Sequence, residues 1–163
     1  MPERNAILVS NTTPLISIAA ATGSLDVLRF LFPRVVVPYE VAEEVRAGGR
    51  QAFGVDAFNG AQWLDIQTAP VTLQPFLQNS LDRGEASVIQ TAMNLDLPLA
   101  CIDETAGRRV ARLCGLDVTG SVGVLLKARQ LGYALSIPDC LQRMREQGIW
   151  LSDQVVRFAL AHC

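Results

Sequence analysis

Four oxygen-bearing side chains stand where chemistry is expected. Asn11 follows the apolar run Ala6-Ile7-Leu8-Val9-Ser10, and Asp103 follows Leu97-Pro98-Leu99-Ala100-Cys101-Ile102. Glu44 lies on the helical stretch after Val35-Val36-Val37, and Glu85 in the first turn of the stretch opened by Asp82. Two strand ends, each followed by a ligand-type residue, point to a site at one edge of a parallel sheet, because open α/β sheets bind ligands beyond the carboxyl ends of their strands. If the first and fourth strands are neighbours, Asn11 and Asp103 lie one strand spacing apart, roughly 5 Å. Glu44 and Glu85 then complete an oxygen-lined pocket. Converging carboxylates repel one another, and a bound cation offsets that repulsion. Hard oxygen ligands without His or thiolate favour Mg²⁺ or Mn²⁺. Such an ion suits phosphodiester hydrolysis, since it activates water, orients the phosphate and stabilises the leaving oxygen.

Each residue also has a plainer reading. Asp103 is placed to cap the helix after it, and Glu85 to complete a capping box with Asp82. Glu44 is one more solvated charge beside Glu40 and Glu43, and Asn11 suits an Asx turn. The joint placement, more than any one residue, argues for a site. Arg108 and Arg112 share a helix face at i, i+4 and could meet phosphates; the alternative is a solvated face with Arg108 paired to Glu104. Thr119-Gly120-Ser121-Val122-Gly123 opens a helix whose amides could hold a phosphate, or is a tight turn with a cap. Trp150, Leu151 and Phe158 offer a dimer or partner surface, or ordinary core packing.

The elements that must position these residues follow from pattern. The 163 residues are 50% hydrophobic and 18% charged, which fits one domain with a full core. A net charge of -2 and a pI near 5.4 exclude a surface coated in basic charge while leaving room for a local basic stripe. No stretch approaches the roughly 20 apolar residues needed to span a bilayer, and Met1-Pro2-Glu3-Arg4-Asn5 precedes only a short apolar run, so neither membrane span nor signal peptide is expected and the location reads as cytoplasmic. Cys101, Cys114, Cys140 and Cys163 form no C-x-x-C pair and read as buried free thiols. The one histidine, His162, leaves no basis for a His-based triad.

Strands are expected over residues 6–10, 34–37, 63–66, 97–102 and 116–118, alternating with helices. Thr13-Pro14 reads as a cap with proline at the first helical position. A loop at Gly48-Gly49 and an irregular stretch to Asn59-Gly60 follow the helix bearing Glu44. Beyond Gly132 the pattern is purely helical, with a hairpin of residues 136–146 and 152–161. The alternation implies α/β architecture with a mostly parallel sheet. The division is one domain, an α/β core over 1–132 with a helical extension over 133–163.

Five fragments in order resemble the PIN domain, in its VapC-like ribonuclease branch. They are S-N-T-T-P-L-I at 10–16, V-V-V-P-Y-E-V-A-E-E-V at 35–45, L-D-R-G-E-A-S-V-I at 81–89, C-I-D-E-T-A-G-R-R-V-A at 101–111 and G-L-D-V-T-G-S-V-G-V-L-L at 115–126. The resemblance implies a three-layer fold with a sheet in order 3-2-1-4-5, and a metal-dependent endoribonuclease. Its acidic set would fall on Asn11, Glu44, Glu85 and Asp103 as metal-binding and catalytic residues around Mg²⁺ or Mn²⁺. Arg108, Arg112, Thr12 and Ser121 are then candidate RNA contacts. Such proteins are often toxins held inactive by a small protein antitoxin, and they commonly form homodimers. Two positions depart from the pattern. Asn11 replaces the first aspartate; its amide oxygen can still bind a hard cation, but one ligand charge is lost. Thr119 and Ser121 stand where some members carry a further acid. The alternative is therefore a catalytically degenerate PIN-like module that binds RNA or a partner protein. Receiver-like and phosphatase-like domains need an aspartate at the end of the first strand, so Asn11 counts against both.

Overall fold

Five short strands line up in parallel in the order β3-β2-β1-β4-β5. The computed structural model describes residues 6–48 and 52–163, and the strands are β1 (Leu8–Ser10), β2 (Val35–Val37), β3 (Asp65–Ile66), β4 (Leu99–Cys101) and β5 (Asp117–Thr119). This is the 3-2-1-4-5 sheet expected from the sequence. Leu8, Val9, Val35, Val36, Val37, Ala100 and Cys101 are fully buried. A strand covered on both faces can be apolar throughout, which is why these segments read as continuous runs without alternation. The first four strands are shorter than their apolar runs, Ala6, Leu97 and Ile102, for example, flanking the ladders without joining them, and the fifth is shifted by one residue from the expected 116–118.

Ten helices flank the sheet among the described residues: α1 (Thr12–Thr22), α2 (Asp26–Leu31), α3 (Tyr39–Arg46), α4 (Ala52–Gly60), α5 (Pro75–Ser80), α6 (Arg83–Asn94), α7 (Thr105–Leu113), α8 (Ser121–Gln130), α9 (Ile137–Glu146) and α10 (Asp153–Ala161). The helix α6 lies against β1 and β4, while α1 packs with α3, α4, α8 and α9. The stretch expected to be irregular holds α4, because Gly54 gives α1 room: a β-carbon there would run into Ile16 Cδ1. Residues 1–5, on which the expected absence of a signal peptide rests, lie outside the described residues, as does Gly49 of the expected loop.

The local signals at helix ends are partly corrected. Asp82 caps α6 by accepting a hydrogen bond from Glu85 N at 2.8 Å, as its position predicts. The first helix begins at Thr12 with Asn11 at its N-cap, so Thr13 is not the cap and Pro14 sits deeper in the first turn. Asn11 makes no side-chain cap bond, which also sets aside the Asx turn. Ser136 and Ser152 cap α9 and α10 through Asp139 N and Val155 N. Along α9, Ile137, Cys140, Leu141 and Met144 repeat at helical spacing and are buried against Ala20, Ala21, Leu125 and Leu126. Arg143 Nε donates to Ala21 O at the end of α1, 2.6 Å away, fastening the hairpin to the core.

Cys101 and Cys140 are buried thiols, but Cys114 is half-buried and Cys163 exposed, and all four are free. Leu151 is half-buried against the second core cluster. Trp150 and Phe158 are not core at all: they are 84% and 53% exposed. No helix among the described residues is long and apolar enough to cross a membrane.

Candidate active site

The parallel pairing of β1 with β4 brings Asn11 and Asp103 to the same sheet edge. Ser10 is in register with Cys101, and Asn11 N donates to Cys101 O at 3.0 Å. Asn11 is 4% exposed. Behind it, α3 brings Glu44 and α6 brings Glu85 to the same edge. A β-carbon added at Gly84 would stand 2.8 Å from Glu44 Oε2, 3.2 Å from Asn11 Oδ1 and 3.6 Å from Asp82 Oδ1. Three oxygen-bearing side chains thus converge on one bare stretch of helix.

Two further glycines have the same role. A β-carbon at Gly107 would collide with Glu85 Oε2 and approach Ile102 Cγ2 to 2.9 Å. One at Gly120 would lie 2.8 Å from both Asp103 Oδ1 and Arg108 Nη1. The acids lie where the backbone carries no side chain, and each motif glycine marks that space.

Asp103 and Glu104 are each held by a hydroxyl or an amide. Asp103 Oδ1 accepts from Ser121 N at 2.7 Å, and Ser121 Oγ lies 3.0 Å from Oδ2. Asp103 therefore does not cap its own helix; Glu104 occupies the N-cap position of α7 without a side-chain cap bond. Thr13 Oγ1 donates to Glu104 Oε1 at 2.9 Å. The Thr12 hydroxyl lies beside Glu44 and favours its ionised form, although it is buried without a partner in good hydrogen-bond geometry.

The electrostatics are those of crowded acids. Glu85 is 7% exposed. Burial, contact with the Asp82 carboxyl and the charges of Asp82, Glu104 and Glu44 push its pKa up to about 8. Burial also raises Glu44, with Thr12 opposing and Asp82 and Glu104 adding to the rise. Burial raises Asp103 too, opposed by its Ser121 hydrogen bonds and by Arg108, with Glu104 adding to the rise. The charges that shift Glu85 and Glu44 are all acidic.

The donor set fits a hard cation in three respects. It is all oxygen, no basic charge among the described residues shifts Glu85 or Glu44, and Glu104 Oε2 and Thr12 Oγ1 are buried polar atoms without hydrogen-bond partners. Among the described residues, no three His, Cys, Asp or Glu side chains are gathered closely enough to grip one ion together. Asp103 and Glu104 stand on separate hydrogen bonds, to Ser121 and Thr13.

A family model described as a PIN domain (DUF3368) matches residues 7–163. The chain belongs to the PIN domain family. No curated protein matches it. A PilT N-terminus domain protein from the hyperthermophilic archaeon Sulfolobus solfataricus P2 is similar over 80% of this chain and 98% of its own, at 12% identity and a TM-score of 0.49. PIN domains generally comprise nucleases, so the acids of this PIN domain stand on a nuclease fold.

The sequence predicts Asn11, Glu44, Glu85 and Asp103 as one set; the structure places Asn11 and Glu44 beside Gly84, Glu85 beside Gly107 and Asp103 beside Gly120. Asp82 and Glu104 are not in the predicted set. Asp82 was read only as a cap, yet its carboxyl also touches Glu85. Glu104 was read only as a partner for Arg108; it turns instead to Thr13, and Arg108 donates to Ile102 O at 3.0 Å. The signal for both was adjacency, Asp82 one helical turn before Glu85 and Glu104 beside Asp103. Thr12 and Ser121 contact the acids themselves. Arg108 lines the cleft beside Asp103, whereas Arg112 is exposed on α7 away from that cleft.

Proposed function

We propose that this PIN domain is a Mg²⁺- or Mn²⁺-dependent endoribonuclease that hydrolyses RNA phosphodiesters. The observation that carries the reading is the set of carboxylates at the ends of β1 and β4, raised in pKa by burial and by one another with only acidic charges shifting Glu85 and Glu44. Asp103, Glu85 and Glu44, which stand too far apart here to grip one ion together, would have to close onto the ion to hold it, with Asn11 contributing a neutral amide oxygen. Bound there, the metal supplies charge neutralisation and an activated water. The chain's own residues do the positioning. Ser121 fixes the rotamer of Asp103 through two donors, and Thr12 steadies the ionised form of Glu44. Arg108 adds positive charge on the cleft side of Asp103, where a phosphate would enter.

This reading extends to a VapC-like toxin held in check by a small protein antitoxin, acting in the cytoplasm as a homodimer. An adjacent reading frame encoding a small DNA-binding protein would support the pairing, and sedimentation would report the dimer. The second reading, a module that binds RNA or a partner without cutting, is favoured by one feature: Asn11 supplies no charge where an aspartate is usual.

RNA cleavage in Mn²⁺ by wild type, Asp103→Ala and Asn11→Asp decides between them. The nuclease reading expects cleavage by wild type that Asp103→Ala removes. If neither wild type nor Asn11→Asp cuts RNA above the Asp103→Ala background, the enzymatic reading fails. Calorimetric Mn²⁺ titration is the companion measurement, with binding expected in wild type and lost in Asp103→Ala.

A further inference from the structure

The acidic edge is one charge short, because Asn11 offers an amide where an aspartate is usual. Glu104 stands close by. It follows Asp103 at the entry to α7 and makes no side-chain cap bond there. Its side chain reaches instead to the first turn of α1, where Thr13 Oγ1 donates to Oε1 at 2.9 Å. Thr13 is two positions after Asn11. The other oxygen of Glu104, Oε2, is buried and accepts no hydrogen bond. Thr12, between Asn11 and Thr13, is 9% exposed, and its hydroxyl is likewise buried without a partner in good geometry. A buried carboxylate oxygen without a donor is costly unless something completes it.

We propose that Glu104 is a ligand of the cation at this edge and supplies the negative charge that Asn11 lacks. The proposal rests on the metal-dependent reading and adds a ligand to it. Three features favour Glu104 in this role. Its charge reaches the whole set: among the described residues it is the one carboxylate that opposes ionisation of Glu85, Glu44 and Asp103 alike. Its Oε2 is unengaged, whereas both oxygens of Asp103 already accept from Ser121. The atoms left without partners, a carboxylate oxygen and a hydroxyl, are both hard donors of the kind Mg²⁺ and Mn²⁺ take.

The test uses the full chain and Mn²⁺ alone, titrated calorimetrically. Glu104→Gln removes the charge and keeps a carbonyl oxygen for Thr13. Its Mn²⁺ affinity should fall by more than about tenfold, the loss common when a residue that merely orients a ligand is removed. Thr13→Val removes the hydrogen bond and leaves the charge, and should cost clearly less. Adding Asn11→Asp to Glu104→Gln restores the number of carboxylates and should recover most of the lost affinity. Thermal melts supply a second readout. In chelator, Glu104→Gln should melt above wild type, because one of several crowded charges is gone. In Mn²⁺ its gain in melting temperature should be smaller than that of wild type, since a ligand stabilises the fold only as tightly as it binds.

Unchanged Mn²⁺ affinity in Glu104→Gln, an equal loss in Thr13→Val, or no recovery with Asn11→Asp overturns the proposal. A Glu104→Gln chain that melts below wild type in chelator assigns the side chain to holding α1 and α7 together and overturns it as well, as does wild type that binds no Mn²⁺. The two readings fail separately. RNA cleavage that Asp103→Ala removes, with Mn²⁺ affinity indifferent to Glu104, leaves a nuclease without this ligand. Glu104-dependent Mn²⁺ binding without RNA cleavage leaves the ligand without the nuclease.

Discussion

Glu85 is the residue on which the acidic site is most exposed to test. Its pKa rises from an ordinary 4.5 to about 8 because burial and three acidic neighbours disfavour its charge. In the metal-free protein the folded state therefore binds more protons than the unfolded chain between those values. The stabilising share from protonated Glu85 is fully present below pH 4.5 and is lost as pH rises through about 8. Thermal melts in chelator should fall across that window, and Glu85→Gln should flatten the fall; an unchanged slope in Glu85→Gln would remove Glu85 as the cause. Gly107 is the complementary case, because its value lies in what it lacks. A β-carbon there meets Glu85 Oε2, so Gly107→Ala should displace the carboxylate. A displacement of about 1 Å costs roughly a hundredfold in rate when positioning carries the chemistry. RNA cleavage rates beside far-ultraviolet circular dichroism would check this, the fold being expected to persist.

At the scale of elements, α6 does two things at once. Its N-cap Asp82 organises the first turn through Glu85 N and also presses charge against the Glu85 side chain. Asp82→Asn keeps a good cap and removes the charge, whereas Asp82→Ala removes both; the cap alone contributes about 1 kcal/mol. In urea titrations at pH 8 the Asn variant should exceed the Ala variant by about that amount, and equal stabilities would deny the cap its role. The same helix shows how far the sequence could be read. Asp82-Arg83-Gly84-Glu85 announces its own start because capping is a local transaction within four residues. The buried strands were equally legible, since full burial leaves an uninterrupted apolar run such as Val35-Val36-Val37. The cap of α7 was misread because Asp103 and Glu104 are both suitable, and the choice was made by Ser121, eighteen positions away, whose amide takes Asp103. The helix α4 was missed because residues 52–60 carry two glycines and a weak stripe; Gly54 suits it to Ile16 of α1, a contact no window of sequence contains. Phe158 looked like core because apolar type alone does not say which side of α10 faces water, and Trp150 stands in the loop before that helix, where no periodicity applies.

The whole molecule is an α/β sheet extended by a hairpin that folds back onto α1 and α8. Met144 is fully buried in the small cluster that joins them. Met144→Ala should cost about 2–5 kcal/mol of stability, measured by urea denaturation. Loss confined to the hairpin's own amide exchange, with global stability unchanged, would show that the extension folds apart from the core. The hairpin also carries one wall of the cleft, so the sheet supplies the acids and the extension supplies the surface beyond them. The crowding of those acids has a consequence for the molecule as an exchanger of ions. With Glu85 titrating near pH 8, the protein at neutral pH holds a proton where a cation would bind. Loading the site should expel it, because a coordinating carboxylate must ionise. The heat of Mn²⁺ binding should then vary with the ionisation enthalpy of the buffer, and the slope should report close to one proton at pH 7 and much less above pH 9. A slope of zero at both would mean that metal and proton occupy different places.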